Sequence, residues 1–183
     1  VLLPPAPTLK SKFAPKDAAV QYSSSPVVVS ATRTLALDAG EPTFFREVGS
    51  NRKPDAEMLR HCGIECRNST KTKQYIVTIP KGYVTDMASV PRACWAFIAP
   101  FDVARAAIVH DILYEKINMA FKAGTIKDRE PYRLIADTMF KLAMKCSEPA
   151  VPGWKIWSAH SAVRLFGRFA IKNSQPRGDK PKA

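Results

Sequence analysis

The 183-residue sequence predicts an α+β fold with a mainly helical core. It should hold three helices, two of them an antiparallel pair, with a small β-sheet or hairpin and an extended N-terminal arm. Three observations predict this. Apolar residues recur at three- and four-residue steps in three stretches after residue 100, β-branched and aromatic residues crowd Gln74 to Ile79, and Pro and Ser crowd the first thirty residues.

Residues 1–40 read as the arm. Pro4, Pro5, Pro7, Pro15 and Pro26, with the run Ser23-Ser24-Ser25, suit an extended segment better than a packed element, with short strands at Val27 to Val29 and Thr32 to Leu37. Such an arm needs a support, and a neighbouring subunit is the simplest one. Residues 41–172 read as a single α+β domain, because 46% hydrophobic content at this length fills one core. Within it, Gln74 to Ile79 forms a strand, Pro80-Lys81-Gly82 punctuates it, and Tyr83 and Val84 resume it before the polar loop Thr85 to Arg92. The first helix should start at Asp102, a natural N-cap after Pro100, and end near Gly124. The second starts between Asp128 and Pro131, and so short a connection favours an antiparallel hairpin. The third runs from Gly153 or Trp154 to about Lys172, with Trp157, Val163, Leu165, Phe166 and Phe169 supplying apolar surface. Residues 173–183 form a basic tail.

Composition narrows the function classes. No apolar run reaches the roughly 18 residues a membrane span requires, and Val1 to Pro7 lacks the charged flank and length of a signal peptide, so the chain reads as soluble. A formal charge of +12 attracts phosphates, anionic envelope components or acidic proteins; nucleic acid would bind without sequence preference, since no basic stripe interleaved with aromatics stands out. Four scattered cysteines do not make a secreted disulfide framework, and reduced thiols are expected. Cys62 and Cys66 have a spacing that suits a zinc ligand pair or a local disulfide, but no second pair completes a zinc site.

The chemistry concentrates on the helical hairpin. His110 and Asp111 stand together in an apolar pattern that does not need them for folding, and the pair offers a base and a cation ligand. Asp137, in the middle of the second helix, should face His110 across the hairpin and fix its tautomer. Tyr114 shares the His110 face, and Arg133 shares that of Asp137. The competing reading makes His110 and Asp111 satisfied core residues, and Asp137 the partner of Arg133 or Arg105 in a structural ion pair.

Four motifs, Val77-Thr78-Ile79-Pro80-Lys81-Gly82-Tyr83-Val84-Thr85-Asp86-Met87-Ala88-Ser89-Val90-Pro91-Arg92, His110-Asp111-Ile112-Leu113-Tyr114, Ala136-Asp137-Thr138-Met139-Phe140 and Ala162-Val163-Arg164-Leu165-Phe166-Gly167, together resemble a domain-of-unknown-function family common in tailed bacteriophages and prophages. The resemblance covers about residues 75–172. It implies a phage origin, and it puts Asp86, Ser89, Arg92, His110, Asp111, Tyr114 and Asp137 at the family's polar positions. The His-Asp-x-x-Tyr spacing of His110, Asp111 and Tyr114, with Asp137 on a second helix, is also similar to the helix pair of phospholipases A2. Neither a glycine-rich calcium loop nor a cysteine framework accompanies it here, and likeness of one helix pair does not confer function.

These readings converge on a virion-associated phage protein, found in the particle or in the host cytoplasm before assembly, with a metal-assisted hydrolase site for an ester, lipid or cell-wall substrate. His110 is the base and Asp137 orients it; Tyr114 and Ser89 complete the catalytic set, with Ser89 as donor or helix cap. Arg92 holds an anionic substrate group, and Asp111 and Asp86 hold a divalent cation, calcium or another. The rival is a non-catalytic virion component anchored to other virion proteins by its arm.

Overall fold

A computed structural model describes residues 13–16, 20–22, 27–29, 33–38, 41–49, 53–68, 73–85, 100–147 and 150–173. Within them the α+β prediction is met, with the helical core and the antiparallel pair in place. Asp86, Ser89 and Arg92, and the loop that carries them, lie outside the described residues.

Two antiparallel sheets form from strands β1 (Phe13–Lys16), β2 (Val20–Tyr22), β3 (Val27–Val29), β4 (Arg33–Asp38), β5 (Ile64–Asn68), β6 (Lys73–Ile79) and β7 (Val84–Thr85). The larger has the order β1-β4-β6-β5 and the smaller β2-β3-β7. The strands expected near residues 27 and 32 and at 74–79 are β3, β4 and β6. Strands β1 to β4 fall within the segment read as an arm, and their backbones are extended as expected. Their support comes from this chain itself, however: β4 pairs with β6 along its whole length, from Arg33 opposite Ile79 to Asp38 opposite Gln74, and β3 pairs with β7. Leu37 of β4 is buried in the core.

Two short helices, α1 (Glu41–Val48) and α2 (Ala56–His61), add to the three predicted from periodicity. Asp55 caps α2, its side chain accepting a hydrogen bond from the Met58 backbone N–H at 2.7 Å. Helix α3 (Pro100–Lys122) starts at Pro100 rather than Asp102, consistent with the tolerance of Pro in a first helical turn. It is buried almost all round, from Val103 to Leu113 with only Arg105 half-buried, as befits the central helix of the core. Gly124, at φ 74°, ends it: the Gly124 N–H bonds to the Phe121 carbonyl and the Thr125 N–H to the Ala120 carbonyl, a Schellman turn that a residue with a Cβ would strain. Helix α4 (Glu130–Lys145) then returns antiparallel, its start fixed by Pro131 in the first turn.

Helix α5 (Gly153–Asn173) packs on α4 and α3, but not through the residues its periodicity favours. Of Trp157, Val163, Leu165, Phe166 and Phe169, only Val163 is buried. The inner face is made of Ile156, Ala159, Ala162, Val163, Gly167 and Ile171, with small residues in its middle and isoleucines toward its ends. Phe44 of α1 stacks on Tyr75 of β6 at 4.2 Å and joins the helices to the larger sheet.

Candidate functional site

The middles of α3 and α4 face each other, as a short antiparallel connection requires, and that places His110 opposite Asp137. His110 Nε2 lies 2.9 Å from Asp137 Oδ1. Four residues further along α3, and so on the same face, the Tyr114 hydroxyl donates to that same Oδ1 at 2.7 Å. On α4, one turn before Asp137, Arg133 NH1 donates to Oδ2 at 2.8 Å. Arg164 of α5 points its NH1 to Oδ2 at 3.5 Å. A carboxylate offers about four lone-pair positions, and these four donors fill them.

Burial makes the pairing obligatory. Asp137 is 0% and His110 3% exposed, and a carboxylate with no water has to be matched by donors and cations. Arg133 meets that demand and is itself used up. Its Nε donates to Glu130 Oε2 at 3.0 Å and NH2 to Glu130 Oε1, while NH1 also leans on the Val163 and Arg164 carbonyls of α5 at 3.4 and 3.3 Å. These bonds to Glu130, with Asp137 beside it, push the guanidinium still further above its already high pKa, and the pairing with Arg133 holds Glu130 below the usual carboxylate range. Burial, with the Asp137 charge added, pushes the Tyr114 hydroxyl far above its ordinary value, so it stays a donor.

Because the Asp137 oxygens accept from Arg133, Arg164 and Tyr114, the His110 nitrogen facing Oδ1 is placed as a further donor and carries a hydrogen. Neutral His110 is therefore the Nε2–H tautomer, and its lone pair sits on Nδ1. The ring is held by Tyr114 and Phe140, at centroid distances of 4.0 and 5.0 Å. Such a ring can take one proton at Nδ1 and pass it on, while Asp137 steadies the imidazolium from the other side.

Of the residues predicted from sequence, His110, Tyr114 and Asp137 come together. Asp111 follows His110 on α3 and is 7% exposed, but it is not among the donors and acceptors around Asp137. Among the described residues no three His, Cys, Asp or Glu side chains cluster as a metal would require. Cys62 and Cys66 are both free thiols and differ in setting: Cys66 is exposed on β5, whereas burial pushes the Cys62 thiol up to about 12. The Arg133 partnership offered as the competing reading of Asp137 is present alongside the His110 one.

Sequence reading gave no role to Glu130, Arg164 or Gly167. Glu130 was visible in its three-residue step to Arg133. The other two depend on how α5 docks. Gly167 is essential to that docking, since a Cβ there would fall 2.3 Å from the Tyr114 oxygen and 3.4 Å from Arg133 NH1. On the outer side of Arg133 opens a cleft of about 440 Å³ in which Lys127, Arg129, Arg133 and Arg168 outnumber Asp128 and Glu130 two to one beside apolar Phe121 and Ile171. Arg129 is fixed there over the Phe121 ring at 4.1 Å and donates to Asn118 Oδ1 at 2.7 Å.

Residues 64–163 match a family model described as protein of unknown function (DUF1353). The match includes His110, Tyr114, Arg133 and Asp137 and stops just before Arg164 and Gly167. No curated protein and no solved structure matches the chain.

Proposed function

The chain belongs to the DUF1353 family, and on that premise we propose that it is a virion-associated bacteriophage protein whose His110–Asp137 pair hydrolyses an ester, lipid or cell-wall bond. The observation that carries the chemistry is the 2.9 Å contact between His110 Nε2 and a buried Asp137 that also accepts from Arg133 and Arg164, which leaves Nδ1 as the proton acceptor. Nδ1 takes a proton from water as the water oxygen bonds to the carbonyl carbon of the substrate. The tetrahedral intermediate then collapses, the bond to the leaving oxygen breaks, and that oxygen receives the proton back from Nδ1, giving an acid and an alcohol. Asp137 orients the ring and balances its transient charge; Tyr114 positions Asp137. Asp111, with Asp86, would hold a divalent cation to polarise the substrate oxygen, but the proton chemistry of His110 stands without it. Arg92 would bind an anionic substrate group, and Ser89 would donate a hydrogen bond. The phage setting, within the particle or in the host cytoplasm before assembly, rests on the four-motif resemblance.

One observation favours a second reading. Every lone-pair position of Asp137 is taken, and Arg133 ties α4 to α5 through it. A cluster so saturated serves equally as the lock of a non-catalytic virion component. Purified full chain assayed on a phospholipid, a simple ester and peptidoglycan separates the two. The hydrolase reading predicts turnover by the wild type and a loss of about 10²- to 10⁴-fold in His110→Ala with the fold retained. Absence of turnover in the wild type, or equal turnover in the variant, overturns it and leaves the lock.

A further inference from the structure

The outer face of α5 carries large apolar side chains with no cover. Trp157 and Leu165 are 71% exposed, Phe169 66% and Trp154 55%. They follow one another at steps of three, eight and four residues, which keeps them on one side of the helix. The stripe extends over about 22 Å at 1.5 Å per residue. Two exposed apolar pairs on one face, Trp154 with Trp157 and Leu165 with Phe169, separated by Ser158 and Ser161, mark an interaction surface rather than scattered surface residues.

Charge says what covers it. Helix α5 contains no Asp or Glu in its 21 residues, while Lys155 and Arg168 accompany the stripe. Lys155 lies over the Trp154 ring at 5.6 Å, pairing a cation with an aromatic ring. Arg168 belongs both to this face and to the 440 Å³ cleft, whose cations stand beside apolar Phe121 and Ile171. The tail that follows adds Arg177, Lys180 and Lys182 in sequence, and the whole chain carries +12. A second copy of α5 laid against the first would bring these cations against their own images, which disfavours a self-complementary dimer. No described helix is long and apolar enough to cross a membrane, so an apolar contact here would be made at a surface.

We propose that the outer face of α5 docks on the surface of an anionic lipid bilayer, its Trp, Leu and Phe side chains entering the boundary between headgroups and acyl chains while the cations meet lipid phosphates. Aromatic and aliphatic residues on one face with Lys and Arg around them are the features of a helix that lies in an interface. The inference deepens the lipid branch of the hydrolase reading and rests on it only for what the docked protein then does.

Co-sedimentation of the full chain with phosphatidylglycerol vesicles, compared with phosphatidylcholine vesicles, tests it. The wild type should pellet with the anionic vesicles and lose most of that binding in high salt. Leu165→Glu with Phe169→Glu should weaken binding about tenfold or more, and Lys155→Glu with Arg168→Glu should do the same through the charge term. These positions lie on the outer face, and far-UV circular dichroism confirms that each variant folds. His110→Ala should bind as the wild type does, so a failed docking surface and a failed catalytic reading give different results. Failure of the wild type to pellet with anionic vesicles, equal pelleting by the Leu165/Phe169 variant, or a wild-type dimer that this variant disperses would each overturn the proposal.

Discussion

Asp137 and Glu47 are two carboxylates held by cations across a helix boundary, yet they stand in opposite regimes. Glu47 of α1 reaches α4, where Lys145 Nζ donates to it at 2.6 Å and Lys141 Nζ lies at 3.2 Å, and its side chain keeps 15% exposure. Asp137 has none, and its partners come from three helices. Glu47 keeps partial contact with water, although its Oε2 is shielded, so a lost lysine is replaced by solvent in part. Asp137 has no such substitute, so its partners are fixed in number, direction and charge. The same attraction is thus a loose tie at the rim and a constraint on geometry in the core, and only a constraint on geometry can hold a histidine tautomer.

Asp137→Ala should have the largest effect. It leaves Arg133 and Arg164 facing an uncompensated interior, and a loss of about 3–5 kcal/mol in denaturant unfolding is expected; a loss under 1 kcal/mol would place Asp137 in the same class as Glu47. Gly167→Ala touches no charge but drives a methyl into the Tyr114 hydroxyl. It should cost about 1–3 kcal/mol and reduce turnover, because Tyr114 positions Asp137. Tyr114→Phe removes one of the two donors on Oδ1 while His110 keeps the other. About 1 kcal/mol is expected from the same unfolding curves, and a neutral effect would show that the hydroxyl adds nothing to the lock.

Glu47→Gln should be the mildest, at about 1 kcal/mol or less, and it carries a pH signature. Burial alone would raise the carboxyl, but the bonds to Lys145 and Lys141 outweigh it and hold it below its ordinary 4.5. The folded chain therefore binds fewer protons than the unfolded chain in mild acid. Stability from this group is intact above pH 4.5 and drains away as the pH falls through the lowered folded value. Unfolding curves taken from neutral pH into acid should show a shallower decline in the variant, and parallel curves would contradict the assignment.

What the sequence made legible follows the same division between local and tertiary causes. The helices α3, α4 and α5 announce themselves by period and the strand β6 by its β-branched and aromatic residues, and the short connection at residues 123–129 suffices to set His110 against Asp137. Helix α2 is only six residues long, too short for periodicity, although Asp55 ahead of it was a readable cap. Strand β5 buries Ile64 alone of its five residues and shows no alternation. Helix α5 misleads most. Its largest apolar residues, the tryptophans, Leu165 and the phenylalanines, point outward while Ile156, Val163 and Ile171 point inward, so hydrophobicity alone did not mark the packed side, and the contributions of Arg164 and Gly167 appear only once that inner face is docked. Asp86, Ser89 and Arg92 rest on motif position alone.

Everything proposed for the site depends on Asp137 holding His110 with its lone pair on Nδ1, ready for a proton. Nitrogen NMR of ¹⁵N-histidine-labelled protein reads this directly. Neutral His110 should carry its hydrogen on Nε2 in the wild type and lose that preference in Asp137→Asn. A wild-type His110 with its hydrogen on Nδ1 would contradict it.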